Sequence, residues 1–216
     1  MTRSQTLLVL HALLLIAVLA LLVPVLTAID GPQGFLLAIA FSWLGLLIPM
    51  IALHVWNRDE GRILSERLRW RDWFVPALLL GQVGVLALAA LMTHAPILTT
   101  HGAMLAALVA MINGPLEELA WRGSFMLRFA TRPRLGFWLG WGLFTLAQSP
   151  MLLSIGIVQP GGWPVVLGSA AVLGLLWNWI AWRTGSVFYT AIAHALSDVV
   201  FFWVLFNSNG FVSPHP

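Results

Sequence analysis

The sequence predicts an all-α, polytopic membrane protein: a single bundle of about seven transmembrane helices with its N-terminus in the cytoplasm. Three observations lead there. The 216-residue chain is 60% hydrophobic and 9% charged, which leaves too little polar surface to coat a soluble globule of that size. Apolar runs of about 18 to 25 residues, each able to cross a ~30 Å hydrocarbon layer at ~1.5 Å per residue, recur from end to end. The arginines, finally, collect between alternate pairs of these runs.

Taken in order, the first run, residues 6–26, leads into further spans without a small-residue cleavage site, so it reads as an anchor and not a signal peptide. The second covers 34–56 and the third 73–93. Between them "RILSERLRWRDW" reads either as an amphipathic helix on the membrane surface or as a solvated, charged loop. The fourth run, 103–127, carries the segment "GPLEELAWRG", and three more follow at 137–156, 164–182 and 186–206. In lipid a backbone must satisfy its own hydrogen bonds, and none of the runs alternates as a barrel strand would, so each is expected to be a helix. With no long linker, repeat or second domain visible, residues 1–216 read as one transmembrane domain.

Orientation follows from the arginines, because the chain has no lysine. Arg3, the group Arg58, Arg62, Arg67, Arg69 and Arg71, the group Arg128, Arg132 and Arg134, and Arg183 lie at the N-terminus and in alternate loops. The positive-inside rule assigns those segments to the cytoplasm. The pI near 11.0 is thus a topological signal, and no nucleic-acid partner is expected, since the arginines form no contiguous reading surface. Arginine without lysine hints at a GC-rich bacterial genome, which makes a bacterial inner membrane the expected location. Absence of cysteine removes disulfides and thiolate chemistry. Trp56, Trp73, Trp138, Trp163 and Trp182 fall near span ends, where they read as interfacial anchors.

The ionisable residues within spans are few: Glu117, Glu118 and Arg122, Asp198, and His11, His54 and His194. Mid-membrane charge costs at least ~2.5 kcal/mol per residue, so such groups normally face a polar cavity. Counted from the cytoplasmic ends of their spans at ~1.5 Å per residue, Glu117 and Gln148 lie roughly 16 Å deep and His194 roughly 12 Å. They are therefore expected to line one cavity, open to the cytoplasm. Glu118 and Arg122 are spaced i, i+4 with the acid first, the favourable order for an ion pair, which leaves Glu117, turned ~100° away, as the free carboxylate. Gly114 and Pro115 weaken the helix ladder beside it. His194 and Asp198 also share a face at i, i+4, and the carboxylate could fix the imidazole tautomer. Polar clasps between helices are the blander reading of both pairs. His54, His94 and His101 lie too near the surfaces to join the site.

These residues carry a resemblance. "EELAWR" resembles the EExxxR motif of the CAAX protease and bacteriocin-processing (CPBP, or Abi) intramembrane proteases, which include the type II CAAX prenyl endopeptidase. "RTGSVFYTAIAHALSD" is similar to the family's last motif, a Thr-Gly-Ser turn followed by HxxxN/D. "FTLAQ" stands where the family has FxxxH, with Phe144 matched and the histidine replaced by Gln148. The resemblance covers residues of about 110 to 205, in a core of about 103–206. It implies a glutamate-activated peptidase: Glu117 activates water, Glu118 and Arg122 support it, His194 and Asp198 contact the substrate carbonyl or water, and position 148 helps hold the water. The implied partners are the lipid bilayer and a peptide or membrane-protein substrate.

A Glu-Glu-Arg cluster can keep one carboxylate available as a base, and a histidine across the cavity can donate to an oxyanion. A carboxamide at 148 can hold a water but cannot bind zinc as imidazole does. No cofactor is expected; a harder divalent cation among Glu117, Glu118, His194 and Asp198 is the lesser alternative, as is His11 in place of the missing imidazole. Two other functions compete: a non-catalytic relative that binds a peptide or membrane partner, as an immunity protein would, and a small transporter or proton relay. Absence of paired inverted repeats speaks against the last.

Overall fold

The computed structural model describes residues 1–56, 62–65 and 68–212. Seven long helical segments follow the seven apolar runs: α1 (Arg3–Ile29), α2 (Gly31–Trp56), α3 (Phe74–His94), α4 (Thr100–Arg128), α5 (Pro133–Ala147), α6 (Gly162–Thr184) and α7 (Phe188–Ser208). Six segments are long and apolar enough to cross a membrane: α1, α2, the stretch Trp70–Ile97 that contains α3, α4, α6 and α7. The exception is α5. Its run, expected as a span over 137–156, ends as α-helix at Ala147 and continues only as a 3₁₀ turn, Ser149–Leu153. Pro150 explains the break, since it offers no N–H to the ladder and crowds the preceding turn.

Packing is that of a membrane bundle. Leu21, Leu44, Val85, Met92 and Met111 point outward and are exposed, while Leu8, Leu15, Val23, Phe35 and Met50 are buried. Such a face is stable only against hydrocarbon. Trp56, Trp73, Trp138 and Trp163 are exposed at helix ends, and Trp182 is half-buried against Phe137. The stretch after α2 forms two short 3₁₀ turns, Arg62–Leu64 and Trp70–Asp72. Arg58, Arg67 and part of the possible surface helix lie outside the described residues.

Side-chain and backbone bonds gather the arginine-bearing loops at one end of the bundle. Gln5 donates to the carbonyl of Arg128 (3.1 Å). Arg183 pairs with Asp72 (2.6 Å) and lies over the rings of Phe74 and Trp179 (5.5 Å each), which clasps α3 to α6 there. The carbonyl of Ile63 accepts from the Val187 amide (2.8 Å) and the Ser186 hydroxyl (3.0 Å). The opposite end, free of arginine and lysine, is tied by the Ile155 amide donating to Thr27 (2.8 Å) and by the Thr99 hydroxyl donating to Asn207 (2.7 Å).

The helix that matters most is α4. Pro115 has no amide hydrogen for the carbonyl one turn back, and the ladder widens just beyond it into a π-helical turn, Glu118–Gly123. Gly114 lets α4 and α7 touch backbone to backbone: a Cβ there would sit 2.5 Å from the amide nitrogen of Ala195. Backbone atoms cannot yield as a side chain can. Gly114→Ala should therefore lower stability by ~1–3 kcal/mol, whereas Gly84→Ala, with nothing within 4 Å, should not. Thermal unfolding in detergent micelles measures both.

Candidate active site

Glu117 ends the regular part of α4 and Glu118 opens its π turn, so the two carboxylates leave the helix in different directions and meet different partners. Glu118 is fully buried and pairs with Arg122 (Oε1 to Nη1, 2.9 Å). Arg122 is equally buried. Its guanidinium lies 3.8 Å over the Phe144 ring and donates through Nη2 to the carbonyl of Gly174 (3.3 Å). Gly174 has to be glycine for this approach, because a Cβ would meet the Phe144 ring at 2.8 Å. A desolvated ion pair of this kind holds only when its remaining hydrogen-bonding positions are used, and one is used by His194.

His194, from α7, places Nδ1 2.9 Å from Glu118 Oε1. With Glu118 ionised against Arg122, Nδ1 carries the hydrogen and Nε2 faces the cavity. The ring is wedged between Trp177, stacked at 4.2 Å, and Phe144, edge-on at 5.9 Å. Nε2 lies 3.7 Å from Glu117 Oε2 and 3.5 Å from Asp198 Oδ1. Gln148, just past the end of α5, donates from Nε2 to Glu117 Oε2 at 3.3 Å. All six sequence-predicted residues therefore converge. Glu117, Gln148, His194 and Asp198 face a common cavity of about 490 Å³, with Glu118 and Arg122 packed behind His194.

Two contributors escaped the sequence reading, which weighed the ionisable groups within spans and Gln148. Asn113 donates to Asp198 Oδ2 (2.8 Å) and accepts from the Trp43 indole (2.8 Å), so α2, α4 and α7 are joined by one chain of bonds that orients Asp198. Its position four residues before Glu117, on the same helix face, was the available signal. Gln82 on α3 donates to Ser197 (2.9 Å), one residue before Asp198. The histidines divide. His11 lies beside His54 with the rings tilted (5.6 Å between centroids) and is not part of the cavity wall, so it does not stand in for the imidazole missing at 148. His94, set aside on the sequence, is among the residues that line the cavity.

Toward the end with the arginine loops, Trp121, Phe125 and Phe129 succeed one another down α4 and are buried, with Phe125 and Phe129 stacked at 5.7 Å. Gly140 lets α5 close on this column, and Ile63 packs over Gly123. From Glu117 the lining runs the other way, through Ala90 and Thr93 on α3, Val166 and Ser169 on α6, and Gln159 to Gly161 before α6.

The donor set does not fit a metal ion. Glu118 is committed to Arg122 and His194, a carboxamide occupies position 148, and among the described residues no group of three or more His, Cys, Asp or Glu side chains is disposed to hold one.

Comparison with known proteins agrees with the motifs. No curated protein and no solved structure matches the chain, but the sequence model described as type II CAAX prenyl endopeptidase Rce1-like matches residues 85–200. That stretch holds α4 to α6 entire, the end of α3, the first two turns or more of α7, and every residue of the cavity cluster, so this chain belongs to the Rce1-like family of CAAX-type membrane proteases.

Proposed function

We propose that the protein is an intramembrane endopeptidase that hydrolyses a peptide bond in a membrane-associated peptide or protein, with Glu117 as the base. One observation carries this reading: of two adjacent carboxylates, Glu118 is neutralised by a buried arginine while Glu117 faces a cavity opposite an imidazole, with an amide donor and no arginine of its own. Glu117 takes a proton from water as the water oxygen bonds to the carbonyl carbon. His194, doubly protonated among Glu118, Asp198 and Glu117, keeps Nδ1–H on Glu118 and donates through Nε2–H to the oxyanion that forms. The C–N bond then breaks, and the proton held by Glu117 passes to the leaving amine. Glu118 and Arg122 act through His194 by fixing its ring, and Asp198, held by Asn113, faces the same nitrogen. Gln148 orients Glu117 by donating to one carboxylate oxygen, which leaves the other for water.

The test is cleavage of a peptide and membrane-substrate library by purified protein and by variants at position 148. Gln148→Leu removes the donor and should lower kcat/KM by roughly 10- to 100-fold. Gln148→His places a ring donor at the same site and should keep or raise activity. Silence of the protein together with silence of Gln148→His would overturn the hydrolytic reading in favour of a binding protein that retains the cavity, the alternative that the missing histidine favours.

A further inference from the structure

One face of α6 grips both cations of the cluster. Gly174 and Trp177 are spaced i, i+3 on it. The Gly174 carbonyl accepts from Arg122 (3.3 Å), and the Trp177 indole lies over the His194 ring, 4.2 Å between centroids with the planes 28° apart. The Arg122 guanidinium carbon is 5.7 Å from the same indole. Trp177 is buried, and its indole N–H has no hydrogen-bond partner among the described residues. What it offers the site is therefore the face of its ring. That face is held in place on either side of Gly174: the Trp141 indole donates to the Ala171 carbonyl (2.8 Å), and Asn178 donates to the Phe137 carbonyl (2.9 Å), which pins α6 to α5.

The charges around His194 give the ring face a use. Glu118 Oε1 lies 2.9 Å from His194 Nδ1 and 2.9 Å from Arg122 Nη1, so one carboxylate oxygen serves two cations that repel each other. Asp198 Oδ1 and Glu117 Oε2 stand 3.5 Å and 3.7 Å from Nε2. Phe144 and Gln148, from α5, bring no charge. Either of the two facing carboxylates is placed to take the proton of Nε2. Transfer to Glu117 would remove both halves of the chemistry at once, because the base would be neutral and the ring would no longer present Nε2–H. An electron-rich indole face opposes that transfer. Its quadrupole attracts a cation within about 6 Å, most strongly where the pair is desolvated, and tryptophan does this best among the aromatic side chains. A neutral imidazole would forfeit that attraction.

We infer that Trp177 is a positioning residue for the reaction: its ring face keeps the proton on His194 and so leaves Glu117 free to act as the base. The catalytic consequence rests on the hydrolytic reading, but the contact between a charged His194 and the indole does not.

Tryptophan carrying one, two or three ring fluorines, introduced at position 177 alone, drains the π face stepwise and leaves its outline almost unchanged. With each fluorine kcat should fall, by roughly tenfold over the series, while KM stays steady because the donor counts only once the oxyanion forms. Trp177→Phe, with a weaker face, should keep more activity than Trp177→Leu. The same fluorinated rings at Trp163, which is exposed, should change nothing. A kcat indifferent to fluorine at 177 while Trp177→Leu is impaired would reduce the residue to packing and overturn the proposal. A rise in kcat would also overturn it, since fluorine makes the indole N–H a better donor and the N–H would then be what matters. A second arm needs no substrate. Thermal unfolding in detergent micelles should shift down with fluorination in the otherwise unaltered protein and shift less in His194→Leu, where no charged ring meets the indole. Equal shifts in both backgrounds overturn the contact. That background dependence in a protein that cleaves no substrate would uphold the contact and sink the hydrolase instead.

Discussion

Glu117→Gln is expected to abolish hydrolysis while leaving the bundle intact. The amide has the same shape, its oxygen can still accept from Gln148 (3.3 Å in the native pair), and no buried ion pair is disturbed, because the arginine belongs to Glu118. What disappears is the ability to take a proton from water, and loss of a positioned general base lowers kcat by ~10²- to 10⁴-fold. Melting in detergent should be unchanged, and substrate should still be retained by the variant in a pull-down. Full activity in Glu117→Gln would mean that another group activates the water. Loss of both cleavage and substrate retention would instead place Glu117 in binding.

Arg122→Met should have the largest effect on stability. The native guanidinium neutralises Glu118, caps the Gly174 carbonyl and covers Phe144. Methionine fills the volume but leaves a fully buried carboxylate without its arginine, and an uncompensated buried charge of this kind costs ~3–5 kcal/mol. Unfolding in micelles would show a large fall in Tm, with activity falling too as His194 loses its fixed partner. Adding Glu118→Gln to Arg122→Met removes the orphaned charge and should recover more than half of the lost stability. Arg122→Lys should recover less than wild type, since an ammonium cannot lie flat on Phe144 and reach Gly174 as well. If the single and double variants unfold alike, the pair is not what holds α4 to α6 and α7.

The two experiments separate roles that the motif alone runs together. Adjacent glutamates in "EELAWR" are chemically identical as letters. In the structure, one is built into the scaffold and the other is left facing the cavity. A variant of the first should act mainly through stability, and a variant of the second mainly through the rate.

Much of this was legible in the chain. Composition and run length set the number and place of the helical segments, because crossing hydrocarbon leaves the backbone no other choice. Helical periodicity paired Glu118 with Arg122 and His194 with Asp198, since residues four apart share a face whatever surrounds them. Proline at 115 announced a fault in α4, and the π turn follows it. These are local consequences of geometry and solvent, and a single sequence is enough to state them.

Other features depended on packing between elements distant in the chain. Asn113 becomes part of the cluster only because α2 and α7 supply Trp43 and Asp198 on either side of it. His94, at the end of α3, lines the cavity together with residues of α6 and α7 that lie far from it in the chain. The aromatic column on α4 packs closely against α5 because Gly136 and Gly140 leave room there for Phe129 and Phe125. The sequence by itself determined which residues lie at membrane depth and which of them share a helix face. Only the tertiary structure decided which side of that level is filled and which is empty, because void and seal are properties of side chains from different helices meeting, and no period along one helix encodes them.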